Sequence, residues 1–230
     1  MSAEKRFGSG LVFKGAYTFS KTLMKNGARA TGNVGQVQNP FDLSQENGYS
    51  SDHLPHRFSG NFIYELPMGR GKMLGSGLTG IADKLVSGWS FAGIINLRSG
   101  FNIYGPTIAA ANCNSSPTNL CRPDLLGSYI LGGDGLATPK FDRNAFDWPL
   151  NTARHPAQTP RFGSAGMNFM PGNSLQSWDL SIAKTTAVKE RYRTELRSEF
   201  FNAFNHTSFA NPINGPENPN FGRTFSTSIS

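Results

Sequence analysis

Four histidines and two cysteines are the residues of this 230-residue chain best suited to metal or nucleophilic chemistry, and their spacing limits what they can do. His53 and His56 stand three apart beside Asp52, a spacing that on a helix would aim two imidazoles at one metal ion. Pro55 lies between them and the segment runs into an alternating, strand-like pattern, which speaks against a helical metal face. His206 follows Asn202 and Asn205, with no nucleophile or second base near it in sequence. The chain lacks a Gly-x-Ser-x-Gly elbow, a phosphate-cradling glycine loop with Lys and Ser or Thr, and a spaced Cys/His set. The reading is therefore of a protein that is not an enzyme and carries no metal and no cofactor.

Cys113 and Cys121 lie in a stretch rich in Asn, Ser and Pro. They are read as a local disulfide in an oxidising compartment, where closing so small a loop stabilises by about 2.5 kcal/mol; the alternative is two unpaired surface thiols in a reducing one. Arg193, Glu195, Arg197 and Glu199 could in principle supply an acid/base pair. On a strand, however, residues two apart are roughly 7 Å from each other, and here the signs alternate, so the row neutralises itself.

What positions these residues is a set of strands. Gly (26), Pro (14) and Phe (18) crowd out strong helix formers and favour short strands joined by many turns. The net charge of +7 comes from Lys and Arg scattered singly, not in runs, which argues against nucleic acid as a partner. No apolar run approaches the roughly 18 residues that a spanning helix needs, and the polar Met1 to Arg6 shows no export signal.

Period-two alternation marks strands near residues 11–21, 57–66, 89–98, 175–184 and 192–202, with the start of another near 221–230. In each, an apolar row opposes a polar one. Phe13, Tyr17, Phe62, Tyr64, Trp89, Phe91, Ile95, Trp178, Leu180 and Leu196 belong to the first, and Lys14, Asn61, Glu65, Asn96, Asp179, Arg193, Glu195, Arg197 and Glu199 to the second; in the strand near 57–66 only Ile63 offends. Strands of about ten residues match a tilted membrane crossing. Long links, Thr22 to Pro55 and Gly100 to Ser174, alternate with shorter ones, Met68 to Gly88 and a tight turn at Thr185 to Glu190, as extracellular loops alternate with periplasmic turns. The link before the third strand could hold one or two turns of amphipathic helix, at Ile81 to Val86, lying at the interface.

With that orientation the aromatic residues fall at two levels. Tyr17, Phe19, Trp178 and Phe200 come near the extracellular boundary and Tyr64, Trp89 and Tyr192 near the periplasmic one, as lipid-facing girdles would. Asp179, Arg193, Glu195, Arg197 and Glu199 would then face the lumen. The expected fold is all-β, an antiparallel meander forming part of a transmembrane β-barrel, with outer-membrane lipid as one partner. The alternative is a secreted β-sandwich binding module or adhesin, whose aromatic row would pack against a second sheet roughly 10 Å away.

Several strings also carry a resemblance. Gly15-Ala16-Tyr17-Thr18-Phe19-Ser20-Lys21, the segment Asp52 to Lys72, Ser87-Gly88-Trp89 through Arg98-Ser99-Gly100, and Ser177-Trp178-Asp179-Leu180-Ser181-Ile182-Ala183-Lys184 leading to Arg197-Ser198-Glu199-Phe200-Phe201-Asn202-Ala203-Phe204-Asn205-His206 occur in order. Together they resemble the C-terminal barrel of TonB-dependent outer-membrane receptors, in the Oar-like branch with a carboxypeptidase-regulatory-like N-terminal domain. The resemblance implies a transporter of a large or scarce extracellular solute, energised by the TonB system through an N-terminal plug. It also implies a signal peptide, a plug and a closing strand that are not in this chain, so residues 1–230 read as a partial C-terminal barrel domain, cut at both ends.

Overall fold

The computed structural model describes residues 1–8, 10–25, 38–39, 41–106, 122–147, 161–189 and 192–228. Their contacts separate into two compact units. One is built from Met1–Phe19, His56–Arg98 and Leu175–Thr207; the other from Ser20–Pro55, Ser99–Ser174 and Ser208–Ser230.

The first unit is a sheet. Its strands are β1 (Ser2–Arg6), β2 (Leu11–Phe19), β5 (His56–Glu65), β6 (Trp89–Arg98), β11 (Leu175–Lys189) and β12 (Tyr192–Phe200), and it also holds a seven-residue helix α1 (Gly80–Val86). The order is β1-β2-β5-β6-β11-β12 with every pair antiparallel, a meander whose edges are β1 and β12. The sheet does not close on itself. Among the described residues no helix is long and apolar enough to cross a membrane.

β1 answers to no hydrophobic pattern, since Ser-Ala-Glu-Lys-Arg has no large apolar residue and is exposed throughout. An edge strand needs only its backbone: β1 pairs with β2 from Ser2 opposite Ala16 to Arg6 opposite Val12, and Gly10, at φ 85°, helps the chain reverse before β2. β11 runs on to Lys189, through most of the segment expected as a tight turn at Thr185 to Glu190. Thr185, Thr186 and Ala187 continue the ladder opposite Glu195, Thr194 and Arg193, with a register shift between Ala187 and Lys189. β12 ends at Phe200, because Asn202 turns the chain with φ 47°.

The segment expected to open another strand near 221–230 does not do so in its described part. Residues 221–228 form turns and one isolated bridge, Phe209 to Thr227, with Gly222 at φ 77°. Phe221 is instead buried in the second unit.

Among its described residues that unit contains three two-stranded ladders, pairing β3 (Leu23–Lys25) with β4 (Asn47–Tyr49), β7 (Asn102–Ile103) with β10 (Met170–Pro171), and β8 (Asp124–Leu125) with β9 (Phe146–Asp147). Its core gathers Ile103, Phe141, Ala145, Phe146, Met170 and Phe221, with Tyr129 and Phe169 packed on it. The segments read from sequence as open loops thus bury a core of their own.

Candidate functional site

The register of the sheet assembles the two rows. Leu11, Phe13, Gly15, Tyr17 and Phe19 of β2 stand opposite Tyr64, Phe62, Gly60, Phe58 and His56 of β5. Across β6 the same face continues as Phe91, Gly93, Ile95 and Leu97, then as Ile182, Leu180 and Trp178 of β11 and Phe200 of β12. Directly opposed residues of an antiparallel pair share a face, so all the apolar residues named from alternation fall on one side. Lys14, Asn61, Glu65, Asn96, Asp179, Arg193, Glu195, Arg197 and Glu199 fall on the other.

The apolar face is not a core. Ile95 and three glycines are buried on it, many rings are half-buried, and Tyr17, Phe19, Ile182, Tyr192, Leu196 and Phe200 are exposed, Leu196 at 71%. The half-burial comes from within the face. The Phe58 ring lies across Gly15 and Gly60, and the Phe62 ring across Gly93 beside Leu180, so the rings shelter one another over a glycine floor. A sandwich would have laid a second sheet here, and the described residues of this unit contain none.

On the polar face, Arg197 bonds Glu195 at 2.6 Å and approaches Glu199 at 3.7 Å, a ladder of half-exposed charges along one strand. Ile63 is joined there by Val12 and Ala92, directly opposite it on either side. Asp179 has a more specific task than lining a wall. Its carboxylate accepts the Asn202 N–H at 2.8 Å, while the Trp178 carbonyl accepts the Ala203 N–H at 2.7 Å and the Trp178 ring meets Phe204 edge-on at 5.6 Å. Asn202 also clamps His206 by two hydrogen bonds, of 2.9 and 3.0 Å. The two most recognisable strings of the sequence are therefore halves of one joint at the end of the β11–β12 hairpin.

The girdle residues sit near strand ends: Tyr17 and Phe19 close β2, Tyr64 nears the end of β5, Trp89 and Tyr192 begin β6 and β12, Phe200 ends β12, and Trp178 is the fourth residue of β11. Tyr17 shares a hydrogen bond of 2.7 Å with His56 Nδ1. His53 belongs to the second unit, where its ring stacks on Tyr49 at 4.4 Å and its Nδ1 accepts the Thr22 N–H. Burial, reinforced by the Lys21 charge, holds that imidazole below its usual range, as suits an accepting nitrogen. Cys113 and Cys121 lie outside the described residues.

Two features of the second unit had no signal in sequence. Arg122 and Glu46, both fully buried, form a two-pronged ion pair at 3.0 and 3.1 Å. Gln38 joins it: its side-chain oxygen accepts the Arg122 N–H, its own N–H donates to Glu46, and its amide nitrogen reaches the Gly163 carbonyl. Three distant parts of the chain, around residues 38–46, 122 and 163, are thereby fastened together. The other feature is a cleft of about 430 Å³ whose wall includes Asp52, Phe101, Asn102, Tyr104, Asn211 and Asn214. Carboxylate, amides and aromatic rings make it able to receive a polar solute.

A family model described as outer membrane beta barrel domain matches residues 1–230. No curated protein and no solved structure matches the chain.

Proposed function

The chain belongs to the outer membrane beta barrel domain family, which places it in the bacterial outer membrane, and from that premise we propose that it forms C-terminal wall and loops of a TonB-dependent transporter. The observation that carries this reading is the register, which gathers one predominantly aromatic and aliphatic face and one predominantly polar face that ends in the alternating charges of β12. In a membrane barrel the first meets lipid and the second meets the water or plug of the lumen. Both sheet edges would take further strands of the same wall. The resemblance of the ordered strings to TonB-dependent receptors favours an energised transporter over a passive pore.

The second unit is formed by the segments that leave the sheet after β2, β6 and β12, and its cleft is the proposed contact for solute. No catalytic step is assigned to any residue.

The test is depletion of solutes from growth medium by the natural host, compared among the parent, a strain lacking this gene and a strain lacking TonB. The expected result is that the solute left behind without the gene is also left behind without TonB. Continued depletion of that solute in the TonB-deficient strain would overturn energised transport while leaving a barrel in place.

A further inference from the structure

Lys184 is misplaced by the logic of its row. It stands opposite Trp89 and Leu196, on the apolar face, where an unpaired ammonium in contact with lipid is costly. The structure shows what it does there. Its Nζ donates to the Lys84 carbonyl at 2.8 Å and to the Ser87 carbonyl, and lies 5.6 Å from the centre of the Trp89 ring. Trp89, from the same face, donates its indole N–H to the Leu85 carbonyl at 3.1 Å. Two side chains rising from the apolar face thus take up carbonyls at the C-terminal end of α1, where a cation is also favoured by the helix dipole. The helix is tied to the outer, lipid side of the sheet.

What the helix and its approach present outward is apolar and cationic. Ile81 and Leu85, four apart and so on one helix face, are 78% and 67% exposed, and Met73 and Leu74 are exposed as well. The turn also carries Lys84 on the helix and Arg70 and Lys72, which line a cleft with Asp83, Trp89 and, from the polar face, Glu65 and Arg193; the one carboxylate of the turn, Asp83, is turned to the Arg70 N–H at 2.7 Å. The patch continues from Trp89, the residue that begins β6 in the row assigned to lipid.

We propose that the turn from residue 66 to 88 is a membrane anchor, lying along the inner-leaflet surface with Met73, Leu74, Ile81 and Leu85 among the upper acyl chains and its three cations at phospholipid phosphates. The inference rests on the lipid-facing reading of the apolar row. Continuity with Trp89 and the excess of positive charge select a phosphate-bearing lipid surface as occupant, as for other interfacial amphipathic helices. Lys184 is the positioning residue that holds the helix to the wall.

The experiment uses the full chain, with Cys113 and Cys121 changed to Ser, folded into vesicles of phosphatidylethanolamine and phosphatidylglycerol. A fluorophore is attached through Ile81→Cys, Leu85→Cys, Leu196→Cys or Glu65→Cys, the last on the polar face at the same end of the sheet. Lipids spin-labelled near the headgroup should quench residues 81 and 85 severalfold more than residue 65, and aqueous iodide should do the reverse. Quenching of residue 196 by lipid with none at 81 and 85 would overturn the anchor and spare the lipid-facing wall. Absence of lipid quenching at 196 as well would overturn both.

Discussion

Gly93 of β6 faces Phe62 of β5, and the phenyl ring occupies the space a side chain at residue 93 would need: a Cβ there would stand 2.5 Å from ring atom Cε1 and 2.9 Å from Leu180 Cδ2. Gly93→Val is therefore expected to destabilise the sheet by about 1–3 kcal/mol through overpacking. Urea unfolding of the detergent-folded chain measures it. The same substitution in a Phe62→Ala background should cost less than in the native chain, since the obstructing ring is gone; equal costs would mean the glycine serves something other than this contact.

The two faces can be told apart by charge. Leu180→Arg puts a cation into the apolar row opposite Gly93, midway along β6, and is expected to lower folding into vesicles by about 2–4 kcal/mol. Arg193→Leu alters the facing row only one ladder step from the strand's start and should cost much less. Folded yield and urea midpoint in vesicles are the readouts, and the opposite ranking would reverse the assignment of the faces.

The buried pair of Glu46 and Arg122 offers a third test, local to the second unit. Glu46→Ala leaves a guanidinium buried without its counter-charge and is expected to cost about 3–5 kcal/mol. Replacing both, as Glu46→Leu with Arg122→Met, should recover much of that loss, because two apolar groups need no partner. Limited proteolysis within residues 41–55, 99–106, 122–147 and 161–174 reports the opening of the unit. A double variant as labile as the single one would mean the polar network, not charge pairing, holds the segments.

Asp124 sets a pH dependence. Burial works to raise its carboxyl, but the Arg161 guanidinium, bonded at 2.5 Å, and Ser164 outweigh burial, so the group ionises below the usual carboxylate range. A carboxyl lowered in the folded state adds stability that is complete above its unfolded value, about 3.9, and disappears as pH falls through the lowered one. Because Arg161 is partly solvated, the effect is no more than about 1 kcal/mol. Protease resistance of the unit should accordingly hold from pH 7 to about 4 and decline below, with Asp124→Asn showing a shallower decline.

The alternation of residues along single strands determined which side chains share a face and left the meander as the simplest order, because side-chain direction in an extended chain is a local property with a period of two. It was enough to gather Phe13, Phe62 and Leu180 against Lys14, Asn61 and Asp179 without knowing any contact. The features with non-local causes were not legible. β1 is held by backbone pairing that needs no pattern. Asp179 looked like one more wall carboxylate until Asn202, 23 residues on, was brought to it. Lys184 looked misplaced until α1, 100 residues earlier at Lys84, supplied its carbonyls. The Gln38–Glu46–Arg122 knot and the cleft of the second unit draw on segments separated by links of no recognisable period. Only the tertiary structure could decide these, because a buried charge or a capped helix end is stabilised by whichever group arrives beside it, and its neighbours in sequence need carry no trace of that partner.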